Sequence, residues 1–259
     1  MGIECIELTC GSTRVEAVPS RGAIVVGLRV GGKEVLYLDR ATLEDPTKNV
    51  RGGIPTLFPY AGKLENENFL PAGTKMKQHG FGRNKPWPAS ERTASRLRMR
   101  LEADAETRAV YPYRFEAEQT VWALPAGLHL EMRVENLGDV PLPVSPGWHP
   151  YFCCPADQKP KVKADVAGIT GDKLGNEIEF DFGVPAPVAG RANFQVPGLG
   201  GLSISFEPRM RHMQVWSQPG KPFICLEPFW GPNNTVNTPR RDEVPPGAAR
   251  VYWMRIELE

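Results

Sequence analysis

Apolar and polar residues alternate with a period of two wherever a regular element can be read along this chain. From Arg96 to Ala103, Leu97, Met99, Leu101 and Ala103 alternate with Arg96, Arg98, Arg100 and Glu102. From Leu128 to Glu135, Leu128, Leu130, Met132 and Val134 alternate with His129, Glu131, Arg133 and Glu135. Successive side chains of a strand point to opposite faces, so this pattern predicts strands with one face in a core and one towards water. Residues 3–8, 24–30, 115–122, 202–206, 213–216 and 251–258 read the same way. Turn clusters separate them, among them Gly31-Gly32, Pro125 to Gly127, Gly198 to Gly201 and Pro245 to Gly247. Few windows carry a 3.6-residue apolar stripe, and the segment Ala41–Asn49 allows a short helical turn at most. The expectation is an all-β, antiparallel chain with roughly fifteen or more strands in two large packed sheets. No internal boundary or fixed-length repeat divides residues 1–259, so they read as one domain and not as a propeller.

Composition agrees. The 26 Gly and 26 Pro among 259 residues are roughly 20% of the chain against ~12% on average, which favours many short elements. With 31 basic and 30 acidic side chains the net charge is +1. No field of that size recruits nucleic acid or an acidic membrane surface. The N-terminal residues lack the basic, apolar and small-residue regions of a secretory signal, and no apolar run approaches the ~20 residues of a spanning helix. Five cysteines, an odd number, include the adjacent Cys153 and Cys154 but no CxxC pair. They read as free, buried or half-buried thiols in a reducing cytoplasm, and their spacing defines no metal site.

The candidate chemistry lies in three irregular stretches. Asp45–Ser90 holds Arg51, Gln78, His79 and Arg83; Pro141–Pro155 holds Trp148 and His149; Glu227–Pro246 opens on Glu227. Each sets ionisable groups among Pro, Gly and aromatic residues. Prolines hold the backbone, glycines admit close approach, and an aromatic ring such as Trp148 offers a flat face to a sugar. Histidine exchanges protons near neutrality. A carboxylate between Leu226 and Pro228, close to Phe229 and Trp230, is expected to be partly desolvated and so raised towards a useful base. A paired acid and base follows from these residue types; the reaction does not.

The segments Arg51–Pro55, Gln78–Arg83, Trp148–Phe152 and Leu226–Pro228, in that order, resemble the aldose 1-epimerase (mutarotase) family. They are most similar to its hexose-6-phosphate mutarotase branch. The resemblance implies an antiparallel two-sheet β-supersandwich that interconverts the α and β anomers of an aldose without metal or redox cofactor. It implies that His149 protonates the ring oxygen, that Glu227 takes the anomeric proton and that His79 orients the sugar. Arg51, Gln78, Arg83 and Trp148 become substrate contacts, with Arg51 a candidate for a sugar hydroxyl or a phosphate. The family also places a sugar-binding Asp after the second histidine, and Asp172 is the nearest candidate. The implied partner is a small sugar or sugar phosphate, with no nucleic acid or membrane, in the cytoplasm. Monomer and dimer are both open, and the alternatives are a glucose-6-phosphate 1-epimerase and a non-catalytic sugar-binding protein of the same fold.

Other features read as structural. His129, on the polar face of its strand, is expected in solvent, and His212 similarly. Trp216 and Trp230 fit either a sugar site or packing. Gly198–Gly201 precedes a strand and is no nucleotide loop.

Overall fold

The period-two segments form the strands they predict. The computed structural model describes residues 3–175 and 177–259. Its largest sheet has eight strands, in the spatial order Lys163–Ala164, Arg191–Val196, Gly200–Phe206, Ala249–Leu258, Gly127–Asn136, Phe115–Leu124, Arg96–Glu102 and Ala89–Arg92. Phe115 faces Asn136 and Leu124 faces Gly127, so the central hairpin is in register throughout. That register drives Leu97, Met99, Val121, Leu128, Leu130 and Met132 to one face, all fully buried. The other face carries an ionic lattice, with Arg98–Glu118 at 3.1 Å and Arg100–Glu116 at 3.3 Å. Such half-exposed pairs contribute only ~0.2–1 kcal/mol each, so the buried face holds the sheet in place.

The second large sheet has six strands. Phe180–Pro185, His212–Ser217, Phe223–Phe229, Gly147–Trp148 and Thr56–Leu57 run in that order, and Tyr151–Cys153 also pairs with Phe223–Phe229. A four-stranded meander over Ile6–Cys10, Thr13–Val18, Ile24–Val30 and Lys33–Glu34 adjoins it through bridges from Val25 to Ile54 and from Leu36 to Phe152. The two expected sheets are therefore present, with an N-terminal sheet added.

One apolar core lies between the large sheets and includes Met99, Val121, Leu130, Trp148, Ile224 and Leu226. An amide crosses it. Gln119, fully buried on the eight-stranded sheet, accepts from Thr56 Oγ1 at 2.8 Å and from Trp148 Nε1 at 3.1 Å, and donates to the Ala23 carbonyl at 2.7 Å. A buried polar group is tolerated when it is paired, and these three bonds tie both large sheets to the meander.

The helical turn expected near Ala41 is Arg40–Glu44, capped by Asp39. A second helix, Ala105–Val110, has no apolar stripe; Asp104 and Thr107 form a reciprocal capping box at its start. No helix among the described residues is long and apolar enough to cross a membrane.

Candidate active site

The central strand Phe223–Phe229 builds the site by alternation. Ile224 and Leu226 enter the core, so Cys225 and Glu227 take the opposite face. The register that pairs Gly147 with Phe229 and Tyr151 with Cys225 sets His149 opposite Glu227. Directly opposed residues share a face at close range. His149 Nε2 and Glu227 Oε2 are 3.5 Å apart. His149 is 8% exposed and Glu227 1%. His149 Nδ1 and Glu227 Oε1 are buried with no hydrogen-bond partner among the described residues. Tyr151 stacks on the His149 ring at 4.7 Å, and Trp216 meets it edge-on at 5.7 Å.

The next strands extend this face. Gln214 lies opposite Glu227, and Gly183 opposite Gln214. Gln214 Nε2 donates to Asp181 Oδ1 at 2.5 Å, while His212 Nε2 lies 2.7 Å from Gln214 Oε1. Because the Gln214 nitrogen faces Asp181, its oxygen faces His212, and His212 is the donor. Glycine at 183 admits this chain: a Cβ there would stand 2.0 Å from His212 Cε1. Asp181 is thus a held carboxylate, with Lys63 Nζ 3.8 Å away.

His79 comes from the long irregular stretch. Its backbone, at φ +68°, lies in the left-handed region that side chains other than Gly rarely adopt. A two-point clamp holds it there: its N–H donates to the Gly62 carbonyl, and the Gly62 N–H donates to its Nδ1, both at 2.9 Å. Acceptance at Nδ1 leaves the neutral ring's proton on Nε2. Nε2 is 3.0 Å from the Gln78 side-chain amide, so the amide orientation that satisfies both presents its oxygen.

These groups surround a cavity of about 270 Å³ whose walls are mostly polar and include Arg51, Lys63, Gln78, His79, Arg83, His149, Asp181, Trp216 and Glu227. Burial, then the Arg83 charge, holds His149 down to about 3. Burial, then Asp181, pushes Glu227 well above the usual carboxylate range, with Arg83 opposing. His79 is held well below its ordinary value by burial, then by Arg83 and His149. The site therefore disfavours charge on the cross-strand pair in the absence of a partner. The Arg51 guanidinium sits 5.2 Å from the Trp216 ring centre. Arg83 donates to the Gln78 carbonyl at 3.1 Å, and its buried Nε has no partner among the described residues.

Six candidates from the sequence meet at this cavity: Arg51, Gln78, His79, Arg83, His149 and Glu227. Trp148 does not. It lies one residue from His149 on the opposite face, fully buried, with its indole N–H on Gln119. Asp172 does not either. It is exposed in the turn Gly171–Lys173, where the Thr170 hydroxyl holds its carboxyl low, and Asp181 is the aspartate at the cavity. Trp216 lines the cavity; Trp230 instead bonds the Arg240 carbonyl. The surface readings of two histidines are corrected as well. His212 is 9% exposed, and His129 is half-buried between Trp122 and Trp253, with burial and Arg255 holding it to about 4. Every described cysteine is a free thiol, and of the five Cys5 is exposed.

Sheet order, the cross-strand pair and the polar cavity define a galactose-mutarotase-like β-supersandwich. The aldose 1-epimerase family model matches residues 4–196. The chain belongs to the aldose 1-epimerase family. Two relatives, from Cenchrus ciliaris and Escherichia coli (strain K12), are provisionally named as glucose-6-phosphate 1-epimerases. Each is 29% identical, over 47% and 57% of this chain respectively. These matches span 38% and 46% of the relatives' own lengths, so the chain spans less than half of each. A Synechocystis sp. PCC 6803 protein of solved structure is 30% identical with a TM-score of 0.93, covering 100% of this chain and 96% of that one. A galactose mutarotase-like protein from Lactobacillus casei ATCC 334 shares the fold at 19% identity, with a TM-score of 0.80 over 99% of this chain and 100% of that one.

Proposed function

We propose that this chain is an aldose 1-epimerase that interconverts the α and β anomers of a hexose. The observation that carries the reading is the buried pair His149–Glu227, 3.5 Å apart and opening on a sugar-sized polar cavity. Glu227 takes the proton of the anomeric hydroxyl while His149 gives one to the ring oxygen. The C1–O5 bond breaks, the aldehyde rotates about C1–C2, and closure on the other face reverses both transfers. His79, with its proton fixed on Nε2, and Gln78 orient the sugar, and Asp181 accepts from its hydroxyls.

Burial sets the resting charge of the pair. Neutral imidazole and neutral carboxylic acid are favoured, which differs from the reactive imidazolium–carboxylate form by one proton moved between neighbours. A sugar that supplies hydrogen bonds to both groups stabilises the reactive form, and its ring excludes the water that otherwise competes. One proton shared by the pair serves both directions of a reversible reaction.

A second reading, hexose 6-phosphate as the substrate, is favoured by the buried Nε of Arg83, which no described residue satisfies, with Arg51 and Lys63 on the same cavity. Arginine forks suit phosphate oxygens, and the provisional names of the two relatives point the same way. Five free thiols fit a cytoplasmic setting. Freshly dissolved α-glucose, α-galactose and glucose 6-phosphate, followed by polarimetry, separate the readings. Acceleration of all three with similar kcat/KM supports a free-hexose enzyme. Preference for the phosphate ester that collapses in Arg83→Met supports the second reading. No acceleration on a broad aldose panel would overturn both.

A further inference from the structure

We infer that His149, Cys225 and Glu227 form a binding site for a zinc-type divalent cation, and that such a cation inhibits turnover by occupying the proton-transfer pair. The inhibition clause rests on the proposed epimerase reading; the binding clause does not. One ligand atom from each of the three side chains lies within 4.8 Å of the other two, and all three residues are buried. Bonds of ~2.0–2.3 Å in a tetrahedral zinc site put ligand atoms roughly 3.3–3.8 Å apart. The 3.5 Å between His149 Nε2 and Glu227 Oε2 already matches. The thiol has to close by about 1 Å, a side-chain adjustment on the same strand face.

Three further observations point to a ligand. Glu227 Oε1, beside the ligating Oε2, is a buried acceptor that no other described residue satisfies. Such atoms are costly unless something pairs with them. Cys225 and Glu227 also share one face of the strand Phe223–Phe229, and His149 lies between two short strands that pair with it, Gly147–Trp148 and Tyr151–Cys153, so the set is preorganised. A thiolate and a carboxylate balance a dication, so the occupied ligand set adds no net charge to a cavity that Arg51, Lys63 and Arg83 also line. The protons they release on binding go to solvent. The donor set is N, S and O with a fourth position towards the cavity, the form of an open zinc site. Magnesium and calcium ask for oxygen ligands alone.

The test uses the full chain, stripped with a chelator and titrated with Co²⁺. One equivalent is expected to raise a near-ultraviolet thiolate-to-cobalt band with tetrahedral visible bands, and one equivalent of Zn²⁺ to bleach them. The wild-type spectrum needs no variant to be informative. Cys225→Ser is expected to abolish the thiolate band and weaken Zn²⁺ binding at least about 10-fold, and Glu227→Gln to weaken binding with the band retained. Cys5→Ser, at the exposed thiol, is expected to change nothing. Zn²⁺ is then expected to slow mutarotation in wild type but not in Cys225→Ser. The inference is overturned if one equivalent raises no thiolate band, or if the band survives in Cys225→Ser. A normal band in a protein that accelerates no aldose leaves the metal site standing and removes the epimerase reading. Turnover without the band does the reverse.

Discussion

Replacing Gln119 by Leu removes a polar crossing of the core and gives a sharp test of how the site is held. The exchange nearly conserves volume, so its cost lies in hydrogen bonding. Three buried groups lose their partner: the Thr56 hydroxyl at 2.8 Å, the Trp148 indole N–H at 3.1 Å and the Ala23 carbonyl at 2.7 Å. Leaving a buried polar group unsatisfied costs ~1–3 kcal/mol. The Thr56 hydroxyl can rotate to another acceptor, so the two remaining groups set an expected loss of about 2–6 kcal/mol, a large part of the ~5–15 kcal/mol that stabilises a domain. Trp148 precedes His149, and Thr56 pairs with Trp148, so loosening is transmitted to the reactive pair. Equilibrium urea unfolding of both proteins at equal m-value measures the loss, and anomer exchange at low temperature, where the variant is folded, measures the transmission. A loss under about 1 kcal/mol, or a stable variant with an unchanged rate, would refute the reasoning.

Other expectations follow from single features of the site. Because the native state keeps Glu227 protonated above its ordinary range, the folded protein binds a proton that the unfolded chain releases above ~4.5, and wild-type stability falls as pH rises through that window. Glu227→Gln does not titrate, so its Tm advantage over wild type is expected to widen between pH 5 and pH 8; a constant difference contradicts the burial argument. His149 acts in the other direction. Held to about 3 in the fold, it is protonated first in the unfolded chain below ~6.5, so stability falls as pH drops from there, and His149→Asn should show a shallower acid loss by calorimetry. Gly183→Ala drives a Cβ into His212, breaks its hold on Gln214 and frees Asp181. KM is expected to rise several-fold with kcat less affected, and an unchanged KM removes Asp181 from sugar binding.

Much of this was legible from the chain. Alternation at Arg96–Ala103 and Leu128–Glu135 sufficed for the sheets, because a half-buried strand writes its two faces into the sequence. His79, His149 and Glu227 stood out because Pro, Gly and aromatic neighbours surround them in stretches with no period. What was lost depends on register. Trp148 and His149 are adjacent, and only the pairing with Phe223–Phe229 decides which of them faces the cavity. Asp181 sits in Phe-Asp-Phe-Gly, a plain strand pattern, and reaches the site only through two further strands. A signal was present in the alternation itself, since Asp181 and Gly183 share a face. Cys225 escaped because strand spacing, two residues from Glu227, is not the spacing by which cysteine motifs are recognised. His129 follows the polar face as expected, but that face carries Trp122 and Trp253, which cover it.

The central claim is that His149 and Glu227 move protons on a bound aldose. The most direct measurement is anomer exchange at equilibrium, followed by NMR magnetisation transfer on glucose and glucose 6-phosphate, with wild type beside Glu227→Gln and His149→Asn. Wild type is expected to accelerate exchange on at least one of the two sugars, and each substitution to lower kcat by ~100-fold or more, with the variants folded by circular dichroism. Exchange at the wild-type rate in both variants would contradict the account and move the chemistry to other residues of the cavity.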